Sequence, residues 1–323
     1  MTRKFFLVGS KFFSVLIIAS LIFLGLTRSQ SVSDRFALLN YTPSPEIEAL
    51  ATESGMSTTG KNLFYINDPK LNEKSDFRSN CPIKESTIVL GCYTGNGIYV
   101  LRVVDDRLEG IEQVTSAHEM LHAAYDRLSG SEKDSIDKEL VKQYEALNDE
   151  RLKKTIDSYK SQDPSVVPNE LHSILGTEYR NIGSLLENHY KKYFDSRDKV
   201  VSLAETYQSV FISYEKIVED YDRQLSTMST EVSRLKSDLE NLYNQINSQK
   251  QSMETLLVSG DISGYNSKVS SYNNLVQSYN SLASEYQLLI DNYNGIVAKR
   301  NDSVLAQRDL VDNISTTHKP ITE

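Results

Sequence analysis

Apolar and polar positions change their rhythm several times along this chain. Phe12 to Leu26 is an uncharged apolar run preceded by Arg3, Lys4 and Lys11. A basic flank before such a run predicts a membrane-targeting segment whose N-terminus stays in the cytoplasm. The run is shorter than the ~20 residues a spanning helix needs, but Phe5 to Ser10 lengthen it on the near side of Lys11. No A-x-A-like cleavage site follows, which favours an uncleaved anchor over residues 1–30, with a cleaved signal peptide as the alternative. Both readings expect the rest of the chain outside the cytoplasm, tethered in the first case and secreted in the second.

Residues 30–80 carry the breakers "YTPSPE" and "ESGMSTTGKN" and are expected to hold little regular structure. "STIVLGCY", "TGNG" and "IYVLRVV" then read as a hairpin with strands near 86–93 and 98–104. From Glu109 to Leu128 the period becomes helical, with Ile111, Val114, Ala117, Leu121, Ala124 and Leu128 on one stripe. In "SGSEKD", Gly130 is placed to close this helix and Ser131 to cap the next. Further helices are expected over 132–147, around 150–160 and, after the loop "SQDPSVVPNE", from Asn169 to Phe194.

Beyond residue 195 glycine is sparse and proline is missing until Pro320. Tyr265, Tyr272, Tyr279, Tyr286 and Tyr293 recur at intervals of seven, with Val269, Leu275 or Val276, Leu282, Leu289 and Ile296 in the second seam position of a heptad. Upstream, Tyr207, Phe211, Tyr214, Val218, Tyr221, Leu225, Met228, Val232, Leu235, Leu239, Leu242 and Ile246 form a matching stripe. This predicts an antiparallel coiled-coil hairpin over residues 196–312, each arm about 70–90 Å long, turning at Gly260 to Gly264. The tyrosines alternate with aliphatic residues at core spacing, which favours seam packing over a ladder for stacking glycans. Residues 313–323 are expected to be a disordered tail.

Charge narrows the partners. With 35 basic against 44 acidic residues the net charge is −9, so no basic surface is available for a phosphate backbone and nucleic acid is excluded as a partner. The hairpin offers a surface for a protein partner or for self-association. Both cysteines, Cys81 and Cys92, lie in the part expected to be exported, where an oxidising compartment allows them to pair as a disulfide.

The chemistry concentrates in "TSAHEMLHAAY", residues 115–125. Positions four apart lie one turn apart on the same helix face, so His118 and His122 can direct both imidazoles at one Zn²⁺. Glu119 is rotated about 100° from His118 and flanks the metal, where it can take a proton from a metal-activated water. The segment "AHEMLH" resembles the active-site helix of the zincin metallopeptidases, over about residues 80–195. The resemblance implies a zincin-like α+β domain over residues 31–195, a peptide or protein substrate, and "IYVLRV" as the strand at the cleft edge that binds substrate backbone.

A third ligand is needed to leave one position open. The further histidine of the metzincins is missing, Leu128 standing six residues after His122, which points to a gluzincin-like glutamate. Glu170 opens "NELHS", which resembles the gluzincin Asn-Glu pattern. The pattern continues three residues later with Ala or Ser, here Ser173; one position further on, where the family often places an acidic residue to orient a zinc histidine, this chain has Ile174. Glu178 is the rival, because it falls in line with Leu171, Leu175, Ile182 and Leu185 on an inward face. The alternative for Glu170 is a first-turn acid beside an Asn169 cap, stabilised by the helix dipole, and His172, Tyr179 and Tyr125 are candidates to steady an oxyanion. The expected activity is that of an exported, membrane-tethered zinc peptidase with Glu119 as general base. The alternative is a surface coiled-coil adaptor whose zinc domain is structural or inactive.

Overall fold

The computed structural model describes residues 33–81, 88–95 and 97–316. The expected anchor, residues 1–30, lies outside them, and among the described residues no helix is long and apolar enough to cross a membrane. The chain divides into two compact units, one holding the described residues up to Ser209 together with 313–316, the other Val210–Asp312.

Helices dominate the first unit: α1 over residues 33–40, α2 Pro45–Glu53, α3 Thr58–Tyr65, α4 Lys74–Asn80, α5 Ile111–Asp126, α6 Gly130–Leu147, α7 Glu150–Gln162, α8 Val167–Glu178 and α9 Gly183–Tyr190, with the first turns of α10, Arg197–Val258. The only sheet among the described residues has three short strands, β1 Lys70–Asn72, β2 Gly91–Thr94 and β3 Gly97–Leu101. The expected α+β class is therefore corrected to a predominantly helical one. Much of the difference lies in residues 33–80, expected to be irregular. Ser44 and Ser57, which read as loop residues, are N-caps whose side chains accept from the Ile47 and Gly60 N–H groups, and Pro45 occupies the first turn of α2. The residues that mark turns are also those that start helices. Ile47, Leu50, Ala51 and Phe64 then supply buried faces to the core.

The strand order is β1-β3-β2, with β1 parallel and β2 antiparallel to β3. β3 is central and buried along its whole length, so "IYVLRV" is not the edge strand; "GCYT" is. The Leu90 carbonyl accepts from the Leu101 N–H at 2.7 Å. Antiparallel alternation then turns the backbone groups of Gly91 and Tyr93 away from β3, toward the free edge. A disulfide joins Cys92 on β2 to Cys81 at the end of α4, with Cα atoms 6.0 Å apart.

Helix α5 runs through the middle of this unit. Val114, Ala117, Met120, Leu121 and Ala124 are buried in one core with Leu171 and Leu175 of α8. A Cβ at Gly176 would fall inside Leu121 Cδ1 and lie 2.8 Å from Tyr190 Cε1, so the two helices approach as closely as a missing side chain allows. The expected single helix from Asn169 to Phe194 is broken between Glu178 and Gly183, where Gly183 takes φ +76°. The buried Arg197 guanidinium fills the break, donating to the Tyr179 carbonyl at 2.6 Å and the Arg180 carbonyl at 2.7 Å while pairing with Glu187. It satisfies helix-end carbonyls that no periodicity argument could have assigned. The start of α6 also differs from expectation: Ser129, not Ser131, is the cap, in a capping box with Glu132. At the far end of the chain Asn313 donates to Asp105 at 2.7 Å and Arg78 to the Thr316 carbonyl at 3.4 Å. Residues 313–316 are thus packed, and the remainder of the expected tail lies outside the described residues.

The second unit consists of the rest of α10 and most of α11, Ile262–Ile314. Gly260, at φ +76°, turns the chain, and Asp261 caps α11 by accepting from the Gly264 N–H at 2.8 Å. The five heptad tyrosines are all half-buried, as are Val269, Leu275, Val276, Leu282, Leu289 and Ile296 in the second seam position, and Leu235 is fully buried. The rings of Tyr243 and Tyr279 lie 6.5 Å apart, and Arg300 reaches Asp222 at 2.6 Å, which fixes the helices as antiparallel. Val200, Val201 and Ala204 belong to the core of the first unit, so the expected boundary at residue 195 moves to about Ser209.

Tyr279→Asp should lower the stability of the second unit by about 1–3 kcal/mol, because a charge would enter the seam. Ser278→Asp, one position away on the exposed face, should shift it by less than about 0.5 kcal/mol. Thermal unfolding of both full-length variants, followed by helical circular dichroism, checks this.

Candidate metal centre

His118 and His122 emerge from one face of α5, their rings edge to face with centroids 4.7 Å apart. α8 brings Glu170 opposite them. Its Oε2 lies 3.6 Å from His118 Nε2 and its Oε1 3.6 Å from His122 Nε2, with all three side chains largely buried. The ligating atoms of His118, Glu119 and His122 also lie within 4.8 Å of one another. Glu170 also faces the two histidines, each of its oxygens turned to a different imidazole. Tetrahedral Zn²⁺ with bonds of ~2.0–2.2 Å requires donor atoms about 3.3–3.5 Å apart.

Further observations bear on whether these residues suit a metal. Glu170 Oε2 is buried and makes no hydrogen bond. An ionised oxygen in that state is costly unless a cation answers it. Burial pushes the Glu170 carboxyl upward, but the His122 and His118 rings and the Tyr159 hydroxyl outweigh it, holding the group below its ordinary range and ionised at neutral pH. The rear of His122 is also fixed. Its Nδ1 lies 3.0 Å from Asn169 Oδ1 and 3.2 Å from Ser173 Oγ. With Nδ1–H donated to Asn169, the Nε2 lone pair points at Glu170 and the common site, which is the tautomer a metal takes. The donor set fits a divalent zinc-like ion.

Glu119 is buried, 5 % exposed, in the wall of a cleft of about 810 Å³. The segment from Ile88 to Gly95, which contains edge strand β2, lines one part of it, and His118, His122, Glu170, Tyr159, Val166 and Tyr207 line others. Of the remaining sequence candidates, Glu178 and Tyr125 also line this cleft, but each is held by another partner. Glu178 accepts from Arg151 at 3.0 Å and from Gln208 at 2.7 Å, so its inward charge is answered by an arginine rather than an ion. His172 is fully buried behind the site with Nε2 2.9 Å from His189 Nε2, and Tyr125 donates to Asp137 at 2.8 Å. Tyr179 packs against Arg151.

Sequence reasoning missed Asn169 as the partner of His122, treating it as a cap, whereas α8 begins two residues earlier at Val167. The Asn-Glu pair in "NELHS" carried the signal. It also missed Gly91 and Tyr159, for which a single sequence holds no signal at all. Comparison with family models, with curated proteins and with solved structures finds no match to this chain.

Burial drives the His189 imidazole down from its ordinary 6.5 to about 4, with Lys192 adding to the effect. Between these values the unfolded chain binds a proton that the folded chain refuses, so this contribution to stability is complete above pH 6.5 and is lost as the pH falls toward 4. The thermal midpoint of the protein should therefore drop more steeply across that window than that of His189→Asn, as read from parallel melts in a buffer series.

Proposed function

We propose that this chain is an exported zinc-dependent peptidase of the HExxH type. The observation that carries the reading is the position of Glu170, brought from a separate helix to 3.6 Å from both imidazoles with a buried, unsatisfied oxygen facing them. His118, His122 and Glu170 would hold Zn²⁺, which when bound supplies Lewis-acid polarisation and makes water a nucleophile near neutral pH. Asn169 and Ser173 hold His122 in its ligating tautomer. Glu119 takes the proton from the water that attacks the scissile carbonyl and returns it to the departing amine, so the C–O bond forms and the C–N bond breaks with the proton conserved.

The cleft supports a peptide as the substrate. The free edge of β2 presents the backbone groups of Gly91 and Tyr93, so an extended chain can add to the sheet as a further strand. Val89, Leu90, Val114 and Val166 line the same cleft and suit apolar side chains. The basic-then-apolar N-terminal sequence and the Cys81–Cys92 bridge support an oxidising, extracytoplasmic setting.

A peptide-library digest by the purified protein, with and without chelator, tests the reaction class. Glu119→Gln should keep its zinc and lose ~10²- to 10⁴-fold in kcat. A change of only about two- to three-fold would overturn the base assignment. Metal bound without any chelator-sensitive hydrolysis would favour a structural zinc domain on an adaptor.

Among the ligands, Glu170→Ala should lose its metal on dialysis against a weak chelator while Glu178→Ala retains it. Equal retention would remove Glu170 from the ligand set. Asn169→Ala should weaken zinc binding by roughly 10- to 100-fold, as expected for loss of a partner that orients a ligand.

A further inference from the structure

Residue 91 is a glycine although its backbone does not require one. It lies in a regular strand and outside the left-handed region. The reason is space. A Cβ built at Gly91 would stand 2.6 Å from Glu119 Oε1, 2.8 Å from Glu119 Cγ and 2.6 Å from Thr115 Cγ2. These are all closer than non-bonded atoms tolerate, and two of the three belong to Glu119 itself. The backbone of β2 therefore rests directly on the carboxylate and its stem.

The strand that makes this contact is held from both sides. Gly91 pairs with Val100 of the fully buried β3, and the neighbouring Cys92 is bonded to Cys81, itself buried among Phe77, Tyr99 and Leu101. Glu119, 5 % exposed, is thus buried where this strand meets its own helix.

The geometry points to Gly91 as a positioning residue that sets the carboxylate of Glu119 by close backbone contact, an inference that rests on the peptidase reading above. Gly91 touches neither the ligands nor a proton in flight; it restricts where the base can sit. A displacement of about 1 Å at a reacting group can cost on the order of 10²-fold in rate, so one added methyl suffices.

A double-mutant cycle in the full chain tests it, with zinc content, thermal midpoint, kcat and KM measured for Gly91→Ala, Glu119→Gln and the pair, on the peptide the parent cleaves best. Gly91→Ala should retain zinc, keep KM within about twofold and lose about 10²-fold in kcat. Placed in Glu119→Gln it should cost less than about threefold more, because no base remains to be displaced. Gly91→Ala/Thr115→Ser guards against misfolding, since removal of Thr115 Cγ2 relieves that contact and leaves the one with Glu119. It should melt near the parent yet stay as slow as Gly91→Ala. Equal losses in both backgrounds, loss of zinc from Gly91→Ala, or recovery of rate with Thr115→Ser would each overturn the inference while leaving the peptidase reading in place. A zinc-loaded parent that cleaves no peptide would overturn both.

Discussion

The close approach of α8 to α5 governs the site. Gly176 leaves no side chain between the helices, so Leu121 and Tyr190 pack against bare backbone. Toward the N-terminus of α8, the same proximity carries Glu170, six residues away, to His118 and His122 and sets Asn169 and Ser173 behind His122. A larger residue at 176 would separate the helices along their length, because an interior packed to crystalline density has no slack to absorb it. The burial of Leu171, Leu175 and Ala117 between the helices is thus coupled to the spacing of polar atoms that lie outside that core.

Several charged groups around that contact are matched to a partner. Glu178, on the same helix as Glu170, is answered by Arg151, and the turn after α8 by Arg197, whose guanidinium serves two carbonyls and Glu187 together. His172 and His189 share a hydrogen bond in surroundings that hold both imidazoles neutral, desolvation being the main cause for each. Two buried polar atoms here have no hydrogen-bond partner, Glu170 Oε2 and His172 Nδ1, and only the first belongs to a carboxylate facing the imidazoles of His118 and His122.

The edge strand adds a second constraint. β2 lies against Glu119 on one face while its outer backbone groups remain unpaired in the sheet, and the disulfide to α4 limits its movement. A short edge strand fixed in this way keeps a free edge available to an extended chain without exposing a long template for self-association.

Periodicity and spacing were sufficient where the chemistry is local. The helix bearing His118, Glu119 and His122 was legible because its apolar stripe repeats at 3.6 residues and four-residue spacing puts both rings on one face. The heptad tyrosines were legible in the same way, since a seam repeats along the chain that forms it. The fold class was not: Ser44, Pro45 and Ser57 carry the same local preference whether they make a turn or begin a helix, and only the burial of Ile47, Leu50 and Phe64 decides between them. Local pattern favoured Glu170 through the Asn-Glu pair of "NELHS", but it left Glu178 as a rival, because both lie on one helix and either could face inward. The break that Arg197 stabilises, the approach that Gly176 permits and the arginine that meets Glu178 depend on residues distant in sequence. Contacts of that kind are settled by packing in three dimensions, where a missing methyl or a guanidinium arriving from another helix selects one arrangement among several that local propensity allows.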